Sequence, residues 1–284
     1  MDKNYPRTIQ IFLPSGDPTS IRIAEQTTSI MRVIEVPRRD LPAFLAMEDA
    51  KQVALYFLIA GENKERVYIG QSNDIGARLL RHHQDPRTEY EDWERALVLV
   101  SLTRNLTQTH VLYLEALSLE KAKSCERYQV VNANNGQKTH ITAPMKADCD
   151  QIHDITALLL ATLGYPIFEP LLTEHNEQQT IFCCTRGGVD AQGIYTNDGM
   201  VVLKGSSMPY AVKRKMDIKS VEKRDHFLLK GILRREGDRC IFQQNYLFQT
   251  PSGASSFLLL GSSNGWVDWK TKQGITLSQH QGRE

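Results

Sequence analysis

The chain has 284 residues, 41% of them apolar and 24% charged, with a formal net charge of +1 at pH 7. That balance excludes an intrinsically disordered chain and leaves length for two compact units. No apolar run approaches the roughly 18 residues of a membrane span, and the opening MDKNYPRTIQ lacks a signal peptide's apolar core. No membrane partner is therefore expected, and the cytoplasm is the expected compartment. Five cysteines, Cys125, Cys149, Cys183, Cys184 and Cys240, suggest neither a disulfide framework nor a CxxC zinc site and read as reduced thiols.

In chain order, residues 8–36 alternate in strand fashion (TIQIFL, SIRIAE, SIMRVIEV) around a PSGDP turn, which predicts a small β meander. A short helix is expected from an Asp40 cap, with Pro42 in its first turn, to about Asp49. VALYFLIA, the charged turn GENKER and VYIG predict an apolar hairpin that runs into the helix DIGARLLRHH. ALVLVSL reads as a third strand, and TQTHVLYLEALSLEKAKS as a strong helix with Thr107 as its cap. The polar stretch NANNGQKTHITAP is a loop or boundary, and DCDQIHDITALLLATL a connector helix. A second unit follows, with a basic helical stretch at 210–235 and the terminal run NYLFQTPSGASSFLLLGSSNGWVDWK.

Between Lys204 and Arg239 stand eleven Lys/Arg against five Asp/Glu, a local excess of +6 in a chain that is nearly neutral as a whole. Such a block can neutralise phosphates, or it can be an ordinary solvated face. Trp266 and Trp269, near Lys270, can stack nucleic-acid bases or fill a core.

The densest chemistry lies in RVYIGQSNDIGARLLRHH, residues 66–83. Arg78 and His82 are four residues apart, about 40° around a helix, so both can point at one place. Gly70 is expected to end its strand where a backbone or ligand could approach closely. A guanidinium clamps phosphate with two parallel hydrogen bonds, which makes phosphate the natural guest. On the helix at 107–124, Glu115 falls within a largely apolar stripe that includes Val111, Leu119 and Ala122. A buried carboxylate needs a cation, a hydrogen-bond network or a metal, and the sequence leaves these open, a buried arginine partner and a hard divalent ion among them.

The order Ala54-Leu55-Tyr56, Tyr68-Ile69-Gly70, Arg78, His82, Glu115 and Asn132 resembles the GIY-YIG nuclease superfamily over roughly residues 52 to 135. The second motif is complete, and the first is degenerate, with alanine where the family has glycine. The later Gly193-Ile194-Tyr195 spells the first motif but follows Tyr68 by 125 residues, and reads as coincidence. The last third of the chain also resembles the uncharacterised domain that often follows GIY-YIG modules in bacterial proteins.

The resemblance implies an α+β fold. It consists of a GIY-YIG domain at 51–135 with a three-stranded antiparallel sheet flanked by helices, preceded by the meander and short helix at 1–50. A linker and connector helix at 136–180 and a second mixed α/β domain at 181–284 would follow. It further implies a one-metal endonuclease that hydrolyses phosphodiesters in double-stranded DNA. Glu115 would hold Mg²⁺ or Mn²⁺, and Arg78 would neutralise transition-state charge. Tyr56 would serve as base, with Tyr68 and His82 in support and Asn132 closing the domain. Alternatives from other classes are a nucleic-acid-binding or regulatory protein that kept the fold without turnover, and a docking component of a defence or repair assembly.

Overall fold

In the computed structural model the described residues are 5–61, 66–85, 92–134, 136, 139–172, 180–211 and 217–283. Most of the GENKER turn, part of the 132–144 loop and the basic residues 213–215 lie outside them. The chain is α+β and divides into two units, Met1–Pro170 and Leu171–Glu284.

The first unit is organised by β4 (Ala54–Ala60), every residue of which is buried. This strand lies between β6 (Trp93–Ser101) and β5 (Arg66–Ser72), antiparallel to both. Its apolar run is continuous because both faces are covered. Leu55, Phe57 and Ile59 join a core with α3 (Gln108–Cys125) and α4 (Ala143–Thr162). Ala54, Tyr56, Leu58 and Ala60 face the opposite core, with α1 (Leu41–Leu45) and α2 (Ile75–Gln84). The pleat therefore decides that Tyr56 meets α2 while its neighbours meet α3.

β6, β4 and β5 belong to a larger sheet than expected. β1 (Ile9–Phe12), β2 (Arg22–Gln26) and β3 (Met31–Pro37) continue it, β3 pairing with β6 from Met31↔Ser101 to Pro37↔Arg95. With β7 (Gln129–Val130) the order is β1-β2-β3-β6-β4-β5-β7, all antiparallel except β5–β7. The meander at 1–50 is thus continuous with the segment at 51–135. The helix expected as a connector is α4, which gives Cys149, Leu159 and Leu160 to the first unit's core. The short helix after Asp40 is broken into α1 between two 3₁₀ turns.

A buried ionic cluster fastens this layer. Glu35 on β3, with no exposed surface, accepts from Arg22, from Arg95 Nη1 at 2.9 Å and from the Tyr165 hydroxyl at 2.8 Å. Arg22 Nη2 also donates to the Leu163 carbonyl at 3.0 Å, so the cluster ties the chain beyond α4 to the sheet.

The second unit holds two sheets. β8 (Ile181–Cys184), β9 (Ala191–Thr196), β10 (Gly199–Val202) and β14 (Tyr246–Phe248) pair in the order β14-β10-β9-β8. β11 (Ser207–Pro209), β13 (Arg239–Phe242) and β12 (Leu233–Glu236) form the other. Helices α5 (Ile218–Leu229), α6 (Pro251–Leu258), α7 (Gly265–Asp268) and α8 (Leu277–His280) complete the unit. The expected basic helix at 210–235 is confined to α5, because Gly231 takes a positive φ and Leu233 begins a strand.

Candidate active site

Tyr56, Tyr68, Arg78 and His82 meet on one face of the sheet. Cross-strand pairing sets Tyr56 opposite Gly70 and Leu58 opposite Tyr68. The two tyrosine rings are 6.1 Å apart, and the His82 ring lies 5.6 and 5.7 Å from Tyr56 and Tyr68. Gly70 does not end its strand, which runs on to Ser72. Instead it makes room for the protein's own tyrosines. A Cβ there would stand 2.5 Å from the Tyr56 hydroxyl and 2.9 Å from Tyr68 Cε1. Ala54, in place of the motif glycine, is fully buried on the same face and packs as core.

Asp74 starts α2 by accepting from the Ala77 N–H at 2.9 Å. Ile75, Leu79 and His82 are buried at the 3–4 residue spacing of one helix face, which carries Arg78 to the sheet. Arg78 Nε donates to the Tyr56 hydroxyl at 3.0 Å, and its guanidinium also hydrogen-bonds with Tyr68. The Tyr56 hydroxyl is 2.8 Å from His82 Nε2. Burial, with a smaller effect of Tyr68, raises the Tyr56 pKa and keeps it a neutral phenol. Burial also pushes His82 down to about 4, helped by Arg78 and Arg81, so its imidazole is neutral at pH 7. Arg78, His82 and Tyr68 thus all hydrogen-bond with the one phenol hydroxyl.

Glu115 comes from the other face. The outer edge of β5 pairs with β7 only at Arg66 and Val67, and side chains finish it. Asn132 Oδ1 accepts from the Ile69 N–H at 3.0 Å, and its Nδ2 donates to the Ile69 carbonyl at 2.7 Å, mimicking a further strand residue. One step along, the Gln71 N–H donates to the Glu115 carboxylate. Burial raises the Glu115 pKa, while Arg78 and the Gln71 N–H pull it down. The charge of Arg78 reaches Glu115, yet among the described residues no ion pair joins them. Of the readings the sequence left open, a contact pair with a buried arginine is not formed among the described residues, and the Gln71 N–H supplies part of a hydrogen-bond network.

The one oxygen ligand this cluster of described residues could offer a hard divalent cation of the Mg²⁺ or Mn²⁺ kind is the Glu115 carboxylate. Among the described residues no three or more His, Cys, Asp or Glu gather. Glu115 would then be a single protein ligand, partly desolvated, with one donor already bound and lone pairs left over. Phosphate and water oxygens suit the remaining positions.

Sequence reasoning passed over Gln71 and Gln108, whose side chains join by Gln108 Nε2 donating to Gln71 Oε1 at 2.9 Å. The available signals were Gln71's place directly after the YIG motif and the seven-residue step from Gln108 to Glu115, about 20° around a helix. It also passed over Glu35.

The second unit uses much of its positive charge internally. Arg224 donates to the Tyr210 carbonyl and to Asp225, Arg234 pairs with Glu236, and Arg239 donates to Ser207 Oγ and the Gly188 carbonyl. Lys223 lies over Phe248 at 4.8 Å and Arg235 over Tyr210 at 3.6 Å. Trp269 is fully buried and donates to the Pro251 carbonyl at 3.1 Å, so it is core. Trp266 is half-buried, edge-on to Tyr195 and covered by Arg283 at 4.1 Å. Gly193-Ile194-Tyr195 lies in β9 of this unit, with Met200 Sδ 3.0 Å from where a Gly193 Cβ would be.

Residues 181–281 match the family model of a domain of unknown function, DUF4357. No curated protein and no solved structure matches the chain. Among the described residues no helix is long and apolar enough to cross a membrane.

Proposed function

We propose that the first unit is a metal-dependent endonuclease of the GIY-YIG type, hydrolysing phosphodiester bonds in double-stranded DNA. The observation that carries this reading is the gathering of Tyr56, Tyr68, Arg78 and His82 on one sheet face, with the charge of Arg78 depressing the Glu115 pKa but, among the described residues, no ion pair between them. A cation and a carboxylate that stabilise only the fold close on each other. Held apart, they suit a guest that carries negative charge toward Arg78 and a metal toward Glu115.

A Mg²⁺ or Mn²⁺ ion bound to Glu115 supplies Lewis-acid stabilisation of phosphate and leaving-group oxygens. Arg78, held by both tyrosines, presents its remaining N–H donors to the phosphoryl oxygens as charge concentrates there. The reading shifts the tyrosine roles expected from the resemblance. Tyr56 has no exposed surface and is held protonated, which suits it to orient Arg78 and to hold His82 by a hydrogen bond. Tyr68, half-exposed on the same face and hydrogen-bonded to Arg78, is the tyrosine able to meet a water. Asn132 holds the strand that carries both Tyr68 and the Glu115 anchor.

The test is nicking of supercoiled plasmid with Mg²⁺ or Mn²⁺, against chelated controls. Cleavage that needs the metal is expected. Metal-independent DNA binding with no cleavage under either ion would contradict the reading and favour a binding module.

A further inference from the structure

The outer edge of β5 at Gly70–Ser72 has no neighbouring strand among the described residues, because β7 stops opposite Val67. An edge of this kind is free to twist unless side chains hold it. Two ties reach Gln71 from the same helix. Gln108, in the first turn of α3, donates its Nε2 to Gln71 Oε1 at 2.9 Å. Glu115, seven residues on, accepts from the Gln71 N–H. Seven residues are two helical turns, about 10 Å along the axis and about 20° around it, so both ties leave α3 from one stripe. Ile69, two residues before, is held independently by Asn132.

We infer that Gln108 is a positioning residue for Glu115. By fixing the Gln71 side chain it holds the Gln71 N–H on one Glu115 oxygen and leaves the other free for a divalent cation. This rests on the metal reading of Glu115 given above. Without Gln108, the Gln71 N–H has no second anchor on α3, and the carboxylate loses its fixed orientation. Partners that orient a metal ligand in this way typically account for about 10- to 100-fold in metal affinity.

The pair could instead serve only to dock α3 on β5, and the test separates the two roles. Full-length protein is titrated with Mn²⁺ alone, without nucleic acid, and bound metal is followed by electron paramagnetic resonance. Gln108→Leu should weaken Mn²⁺ binding by about tenfold. Gln71→Leu, which keeps the backbone N–H and removes the side-chain acceptor, should do the same. The double variant should be no weaker than either single one, because both act through one contact.

In nicking assays the half-saturating Mg²⁺ concentration should rise by about the same tenfold factor, with the rate at saturating Mg²⁺ nearly unchanged. Should one single variant fail to fold, the other is read in the same way. A lowered melting temperature with an unchanged Mn²⁺ constant marks a purely structural pair and overturns the inference, while the metal reading stands. Absence of Mn²⁺ binding in the wild type, or binding that Glu115→Gln leaves untouched, overturns the metal reading and the inference with it.

Discussion

Glu35 and Glu115 are both carboxylates of the first unit, both anchored to its sheet, and they are treated in opposite ways. Glu35 is sealed from solvent, and Arg22, Arg95 and Tyr165 all donate to it. Glu115 is half-buried and receives one backbone N–H, while the nearest arginine that influences it is bound to tyrosines. A closed ionic cluster has nothing left to offer a ligand. The carboxylate that burial disfavours, and that no ion pair among the described residues satisfies, is the one with capacity to spare. The arginines divide in the same way, Arg22 and Arg95 being spent on Glu35 and Arg78 on two tyrosine hydroxyls.

The largest effect that should sharpen this contrast is on stability. Glu35→Ala leaves Arg22 and Arg95 facing a buried hole and should cost about 3–5 kcal/mol, the range for breaking a buried ion pair from one side. Chemical denaturation measures it, and cleavage per folded molecule should stay near wild type. An activity loss beyond the loss of folded protein would erase the distinction between the two carboxylates.

Arg78→Ala should show the reverse pattern. Single-turnover cleavage should fall by about 10²–10³, the loss typical of one preorganised charge donor. Affinity for uncleaved DNA should move far less, since one phosphate contact is worth only about one unit of salt slope. Matched losses in rate and affinity would recast Arg78 as a DNA anchor.

Gly70→Ala tests the shape of the site. The added methyl meets the Tyr56 hydroxyl at 2.5 Å, so the ring must move and take its bonds to Arg78 and His82 with it. Overpacking of this kind costs about 1–3 kcal/mol. Melting temperature and cleavage should drop together, whereas unchanged cleavage would show that Tyr56 need not stay where it is.

The smallest expected effect is in pH dependence. His82 has its folded pKa depressed to about 4, below the ordinary 6.5, so the unfolded chain binds its proton first. Its neutral form supports the fold fully above about 6.5, and that support is lost as pH falls toward 4. The melting temperature of wild type should therefore decline more steeply over that window than that of His82→Gln, followed by calorimetry.

The sequence carried the site better than the fold around it. Arg78 and His82 were readable together because the helix turn is a local rule, while Tyr56 and Tyr68 were picked out through the family resemblance. The β3–β6 pairing was not readable, since periodicity marks a strand without naming its neighbour. Asn132 showed no sign of its work on Ile69, which depends on where β7 stops. Glu35, Arg22 and Arg95 looked like ordinary strand charges until three strands brought them together. For the +6 block, charge counting takes no account of the acids, carbonyls and hydroxyl that Arg224, Arg234 and Arg239 bind within their own unit.

The most direct measurement is the pair of constants for Glu115→Gln, cleavage rate with saturating Mg²⁺ and equilibrium affinity for the same DNA without metal. The amide keeps the shape and the Gln71 contact while losing the charge that would hold a cation. Cleavage should disappear, with affinity changed by no more than about the one-contact effect allowed above. Full cleavage by this variant would contradict the assignment of Glu115, and with it the account of why the two carboxylates differ.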